Sequence, residues 1–197
     1  MVKVSRKEQA IQTEQKIIQS TLQLIDIKPF QKLHIKEICV QADISIGTFY
    51  HYFDNKQAII VKILDLYSEQ FVKNINENTL AYSQEKIVFI FLEFCYIAES
   101  LGPDLILEIF IHNIILHDNF LLSQDRNLYQ EVYKCIKELK IQDLLLVQES
   151  EQEITNTLII FFRGFLYEWG LSRNKYSLVD EISKQLNRYL PLFIKFV

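Results

Sequence analysis

Between Cys39 and Lys56 the chain has room for two short helices, one tight turn and little else. Leu33 and Ile35 lead into a helix carrying Ile38. Ala42 ends that helix at a helix–helix contact where only a small side chain lets the backbones approach. Asp43 stands where the chain must turn sharply, a position that calls for positive φ, which Asp tolerates better than most residues bearing a side chain. Ile44 is expected to plug the core beneath the turn, and Ser45 to accept a hydrogen bond from a first-turn backbone N–H of the next helix. In that second helix Phe49 and Phe53 lie four apart and share the inward face. Ile46, Gly47, Thr48, Tyr50 and His51 are left on other faces. A glycine inside a helix costs about 1 kcal/mol relative to Ala, so Gly47 makes sense where the backbone must come close to a phosphate or a base edge. This is the layout of a helix-turn-helix whose second helix enters the DNA major groove.

The run Gly47-Thr48-Phe49-Tyr50-His51-Tyr52-Phe53, followed two residues later by Lys56, closely resembles the recognition-helix signature of the TetR family of transcriptional regulators. Ile17, Ile18, Leu22, Leu24 and Ile25 match the apolar pattern of that family's first helix, and His34 to Cys39 match its second. The resemblance implies that Ser45, Ile46, Gly47, Thr48 and His51 approach bases or backbone, and that Tyr50, Tyr52 and Lys56 mainly contact phosphates. His34 and Lys36 complete the expected DNA-facing set. The family usually has Thr where His34 stands, Gly where Asp43 stands, and often a basic or polar residue where Ile46 stands. Ile46 donates no hydrogen bond and suits apolar contact with a thymine methyl.

The formal net charge is −4, a poor fit to DNA until it is divided. Residues 1–62 hold nine Lys and Arg against six Asp and Glu, whereas the remainder holds twelve against nineteen. A basic reading head on an acidic body is the natural interpretation, with Lys3, Arg6 and Lys7 as a candidate arm. With four glycines, three prolines and 49% hydrophobic residues, the chain favours long helices over turn-rich β structure. The predicted class is all-α with about nine helices: a helix-turn-helix domain over 1–55, then a helical effector-binding and dimerisation domain over 56–197. Ser5-x-x-Glu8 is a capping box opening a first helix that runs to about residue 25. Asn55 or Asp54 is expected to cap a long fourth helix over 56–76. Gly102-Pro103 should stop the fifth, and helices over 104–117 and 125–140 follow. Ser150 and Ser177 are expected caps of the eighth and ninth, and Pro191 should kink or end the last.

Cys39, Cys95 and Cys135 are widely spaced with no CxxC, which suits isolated thiols in a reduced, cytoplasmic protein. The apolar stretches around 105–116 and 154–169 are interrupted by Glu108, His112 and Arg163, so no membrane span is expected. No glycine motif cradles a nucleotide, no triad or metal-ligand spacing is present, and neither an enzyme nor a resident cofactor or metal is expected.

Over 158–169 the eighth helix is apolar on nearly every face, and such a helix must be covered on several sides. One side can face its own domain. Phe161, Phe165 and Trp169, with Tyr189 and Phe193 of the last helix, are expected to face an identical subunit, as the family resemblance also implies. Arg163 interrupts this apolar run. A buried guanidinium needs a partner. It either anchors an anionic group of a mostly apolar ligand or pairs with Glu93, Glu108 or Glu168. The candidate effector set is Tyr96, Glu108, Phe110, His112, Phe162, Arg163 and Tyr167. The resulting expectation is a dimeric, ligand-responsive repressor of a near-palindromic double-stranded operator, released by a small, mostly apolar effector. The alternative is a ligand-independent DNA-binding protein whose C-terminal body binds another protein.

Overall fold

The computed structural model of the chain describes residues 5–116 and 120–196. Among the described residues it is all helical, with a single isolated antiparallel bridge between Leu145 and Ile194. The α-helices in chain order are α1 (Arg6–Ile25), α2 (Ile35–Gln41), α3 (Ile46–Tyr52), α4 (Ala58–Glu77), α5 (Ser83–Leu101), α6 (Pro103–Leu116), α7 (Asn127–Ile141), α8 (Glu151–Ser172) and α9 (Leu178–Tyr189). Short 3₁₀ turns at Phe30–Lys32, Phe120–Leu122 and Leu190–Leu192 join them. Two compact units result, Met1–Leu66 and Tyr67–Val197, and the division falls inside α4.

In the first unit, Ser5 Oγ accepts the Glu8 N–H at 3.2 Å while a Glu8 carboxylate oxygen accepts the Ser5 N–H at 2.6 Å. This reciprocal pair starts α1 where the sequence predicts it. Ile17, Phe30, Leu33, Ile38, Ala42, Phe49, Phe53, Ile59, Ile60 and Ile63 are buried together as its core. Each large apolar side chain withdrawn from water contributes roughly 1.5–3 kcal/mol before chain entropy is counted. Ile44, just after the turn, is half-buried. Asn55, rather than Asp54, caps α4, its Oδ1 accepting the Ala58 N–H at 2.9 Å.

In the second unit, α5 packs on α7 and α9, and α8 on α6 and α7. Gly102 ends α5 at φ 79°, a left-handed value that a residue with Cβ rarely adopts. A Cβ on Gly170 would stand 2.8 Å from two side-chain carbons of Leu107, so glycine there is what lets α8 and α6 approach. Phe162 joins Phe91 and Phe94, with ring centroids 4.9 and 5.4 Å apart. Ser150 and Ser177 cap α8 and α9 as predicted. Glu99 on α5 also accepts from the Ser177 hydroxyl at 3.0 Å and the Val179 N–H at 3.2 Å, holding the start of α9 against α5. The α9 helix ends at Tyr189, two residues before Pro191. Cys39, Cys95 and Cys135 are buried free thiols, and burial pushes the Cys135 thiol up to about 12.

Candidate nucleic-acid interface

The turn between α2 and α3 closes on three main-chain bonds. Ala42 N–H donates to Ile38 O at 2.8 Å, Asp43 N–H to Val40 O at 3.1 Å and Ile44 N–H to Cys39 O at 3.0 Å. The last two form the crossed pair of a Schellman ending, which needs a left-handed residue just past the helix. Asp43 supplies it at φ 49°. Ser45 then returns to extended backbone, and its Oγ accepts the Thr48 N–H at 2.9 Å. The Ser45 and Thr48 hydroxyls are also bonded to each other at 2.8 Å.

That geometry decides what α3 shows to solvent. Phe49 and Phe53 are buried with their rings 5.7 Å apart. Ile46, Gly47, Tyr50 and His51 are exposed, and Thr48 and Tyr52 half-buried. A Cβ built on Gly47 meets only Ser45 Oγ at 3.7 Å, an ordinary contact. The chain's own packing therefore does not require glycine there. On α2, His34 and Lys36 are exposed. Glu37 holds the start of that helix, accepting from the His34 N–H at 2.9 Å and from Lys28 Nζ at 2.5 Å. The Lys28 ammonium, ahead of the His34 N–H, holds the Glu37 carboxyl below its ordinary range.

Lys56 is engaged within its own unit. Its Nζ donates to the carbonyls of Phe30 at 2.8 Å, Gln31 at 3.0 Å and Leu33 at 2.9 Å, and lies 4.7 Å from the centre of the Phe30 ring. An ammonium has three donors, and all three are spent on the turn between α1 and α2. Lys56 thus clamps the first unit from within, an engagement that competes with the phosphate contact expected of it. In the candidate arm, Arg6 and Lys7 are exposed at the start of α1, while Lys3 lies outside the described residues.

In the second unit the candidate effector residues only partly converge. Phe110 of α6 and Tyr167 of α8 meet edge to face at 5.8 Å. Glu108 is buried, His112 half-buried, and Phe162 lies inside the aromatic cluster. Tyr96 is 58% exposed on α5, so it does not line the interior of its own subunit as expected. Arg163 is half-buried, and burial lowers its guanidinium pKa. Glu93 is taken by Asn74 Nδ2, and among the described residues no carboxylate forms an ion pair with Arg163.

Of the expected interface residues, Phe161, Phe165 and Tyr189 form one aromatic group, with Phe161 4.7 Å from Phe165 and 4.8 Å from Tyr189. Phe193 is half-buried. Trp169 is 1% exposed, and its Nε1 donates to Tyr176 O at 3.2 Å. It belongs to the subunit's own core, a correction explained by helical phase: Leu158, Phe162, Leu166 and Trp169 recur on the buried face. Sequence reasoning missed the complementary stripe of Ile160, Gly164 and Leu171, all exposed. Its signal was a second apolar series at spacings of four and seven in the same helix.

A family model described as "Bacterial regulatory proteins, tetR family" matches residues 17–63, the stretch that contains this helix-turn-helix. That stretch, about a quarter of the chain, is similar to the DNA-binding segment of the tetR family. Members of the tetR family are DNA-binding regulators, not enzymes. Solved structures share the fold over nearly the whole chain. Salmonella enterica GusR is 16% identical with a TM-score of 0.61, covering 95% of this chain and 98% of its own. A transcriptional regulator from Saccharomonospora viridis in complex with choline is 16% identical with a TM-score of 0.69, covering 94% and 99%. Thermus thermophilus FadR, a tetR-family repressor in complex with lauroyl-CoA, is 20% identical with a TM-score of 0.60, covering 93% and 96%. At these identities the likeness shows the fold alone. No curated protein matches the chain in sequence.

Proposed function

We propose that this protein is a dimeric tetR-family repressor that holds a near-palindromic double-stranded operator and is released by a small, mostly apolar effector. Residues 1–55 would read DNA and 56–197 would bind the effector and dimerise, in a cytoplasmic protein. The observation that carries the DNA assignment is Gly47, a helix glycine on the exposed face of α3 where a Cβ would meet only Ser45 Oγ, at an ordinary 3.7 Å. The cost of that glycine is explained by a partner backbone approaching from outside. Exposed Ser45, Ile46, Tyr50 and His51 surround it, with half-buried Thr48 and Tyr52 alongside and His34 and Lys36 on α2.

Dimerisation is supported by the outward stripe of α8, where Ile160 is 66% exposed and Gly164 has open space around a built Cβ. An apolar stripe with a small residue at its centre fits the close crossing of a second copy. An effector is supported by the half-buried guanidinium of Arg163, which has no ion-pair partner among the described residues, by the Phe110–Tyr167 contact between α6 and α8, and by structures of the same fold solved with choline or lauroyl-CoA. Regulation would act by population shift, the effector favouring a conformation that misfits the operator. The α4 helix runs unbroken through the division between the units, which makes it the covalent route for that coupling. No described helix is long and apolar enough to cross a membrane.

A second reading, a DNA-binding protein whose body captures another protein, is favoured by Ile111, Ile114 and Ile115, all exposed on α6. Genomic footprinting followed by operator binding with and without acyl-CoA and choline separates the two. Release of a footprinted operator by a small molecule supports the first reading. Specific binding that no small molecule alters, with a protein partner competing through α6, supports the second.

A further inference from the structure

The face that α3 turns outward lacks the side chains that read guanine and adenine by paired hydrogen bonds. From Ser45 to Phe53 there is no Arg, Lys, Asn or Gln, the types whose paired groups match the major-groove edges of those bases. Nearby donors are engaged within the chain. Gln41 Nε2 donates to Gln23 Oε1 at 2.9 Å, and the three donors of Lys56 rest on main-chain carbonyls. The Ser45–Thr48 hydroxyl pair keeps one of its two protons inside the turn. Foremost on the helix stands Ile46, its first residue, 49% exposed and followed by a glycine that adds no side chain to cover it.

We propose that Ile46 is a specificity residue reading the 5-methyl group of a thymine, so that each operator half-site carries one thymine selected for its methyl group. This rests on α3 being the DNA-reading helix. The thymine methyl is the one apolar feature the major-groove edges present. An apolar side chain half open to water gains by covering it, by about fourfold in affinity for one methyl group withdrawn from water.

The full chain is used to select duplexes from a random pool, and the selected operator is resynthesised with each thymine in turn replaced by deoxyuridine. That swap removes the methyl and leaves the hydrogen-bonding edge unchanged. At one position per half-site, uracil is expected to lower affinity by about fourfold in the wild type, and to cost nothing in Ile46→Ala. Because Ile46 is half exposed, the variant should keep its helical circular dichroism and its cooperative thermal unfolding, which shows that the comparison is made on folded protein. Selection of a clear operator with no uracil-sensitive position overturns the proposal while leaving DNA recognition standing. An equal uracil penalty in wild type and Ile46→Ala overturns it as well. Failure to select any sequence overturns DNA reading by α3 and this inference together.

Discussion

Lys56 Nζ donates to the carbonyl of Phe30 at 2.8 Å while standing over the ring of the same residue at 4.7 Å from its centre. The lysine thereby ties the loop after α3 to the turn before α2. Hydrogen bonds from charged donors typically contribute about 1.5–3 kcal/mol each, and less when water can replace them. Lys56→Ala is therefore expected to lower unfolding stability by about 2 kcal/mol, read by denaturant titration. The salt slope of operator binding should stay at the wild-type value, because no phosphate contact is lost. Lys36→Ala should do the reverse, leaving stability intact and removing about 0.9 from that slope.

Asp43 holds the turn at φ 49°, where an L residue is strained and glycine is not. Asp43→Gly is expected to be neutral or stabilising by up to about 1 kcal/mol, and Asp43→Val destabilising by about 1–2 kcal/mol. The Lys16 ammonium lies 3.9 Å from the Asp43 carboxylate, and the carboxylate is nearly fully exposed, so loss of that pair should not reverse the order. Thermal unfolding of the three proteins checks it. A Val variant as stable as wild type would show that the turn relaxes elsewhere.

Ile160 is exposed in the single chain, so a charge placed there leaves the subunit core untouched. Ile160→Glu is expected to yield a folded monomer at concentrations where the wild type sediments as a dimer, since the new carboxylate finds no partner in an apolar interface. Gly164→Leu, which fits its own subunit because nothing lies within 4 Å of a built Cβ, should also weaken association by blocking close approach. Dimers of unchanged affinity in both variants would remove this face of α8 from the assembly.

Arg163 is half-buried, and no described carboxylate forms an ion pair with it. Arg163→Gln is expected to weaken an anionic effector while leaving operator affinity without effector unchanged. Effector and operator should oppose each other by about 5–150-fold, and by the same factor in both directions, because linkage is reciprocal. Calorimetric titration of each ligand in the presence of the other measures this. If the substitution instead unfolds the chain, Arg163 serves the packing of α8 and no ligand.

What the sequence determined by itself is whatever is settled within one or two helical turns. Ser5 with Glu8, Ser150 with Glu153, and Ser177 form caps from neighbours three residues away, so spacing alone specifies them. Asp43 in the left-handed turn and the Phe49–Phe53 pair are of the same kind, and they made the helix-turn-helix legible. The outcomes that only the tertiary structure decided depend on groups distant along the chain. Lys56 was free to reach a phosphate until the Phe30–Leu33 carbonyls were brought beneath it by the packing of the first unit. Trp169 and Phe165 are equally apolar, and only the rotation of α8 against α6 and α7 sends the first inward and leaves the second half-covered. Tyr96 turns outward because Cys95 and Ala98 take the inner face of α5, and Glu99 finds the start of α9 across a separation that no local pattern encodes. A helix apolar on several faces declares that it is buried; which face meets which neighbour is a property of the assembled core.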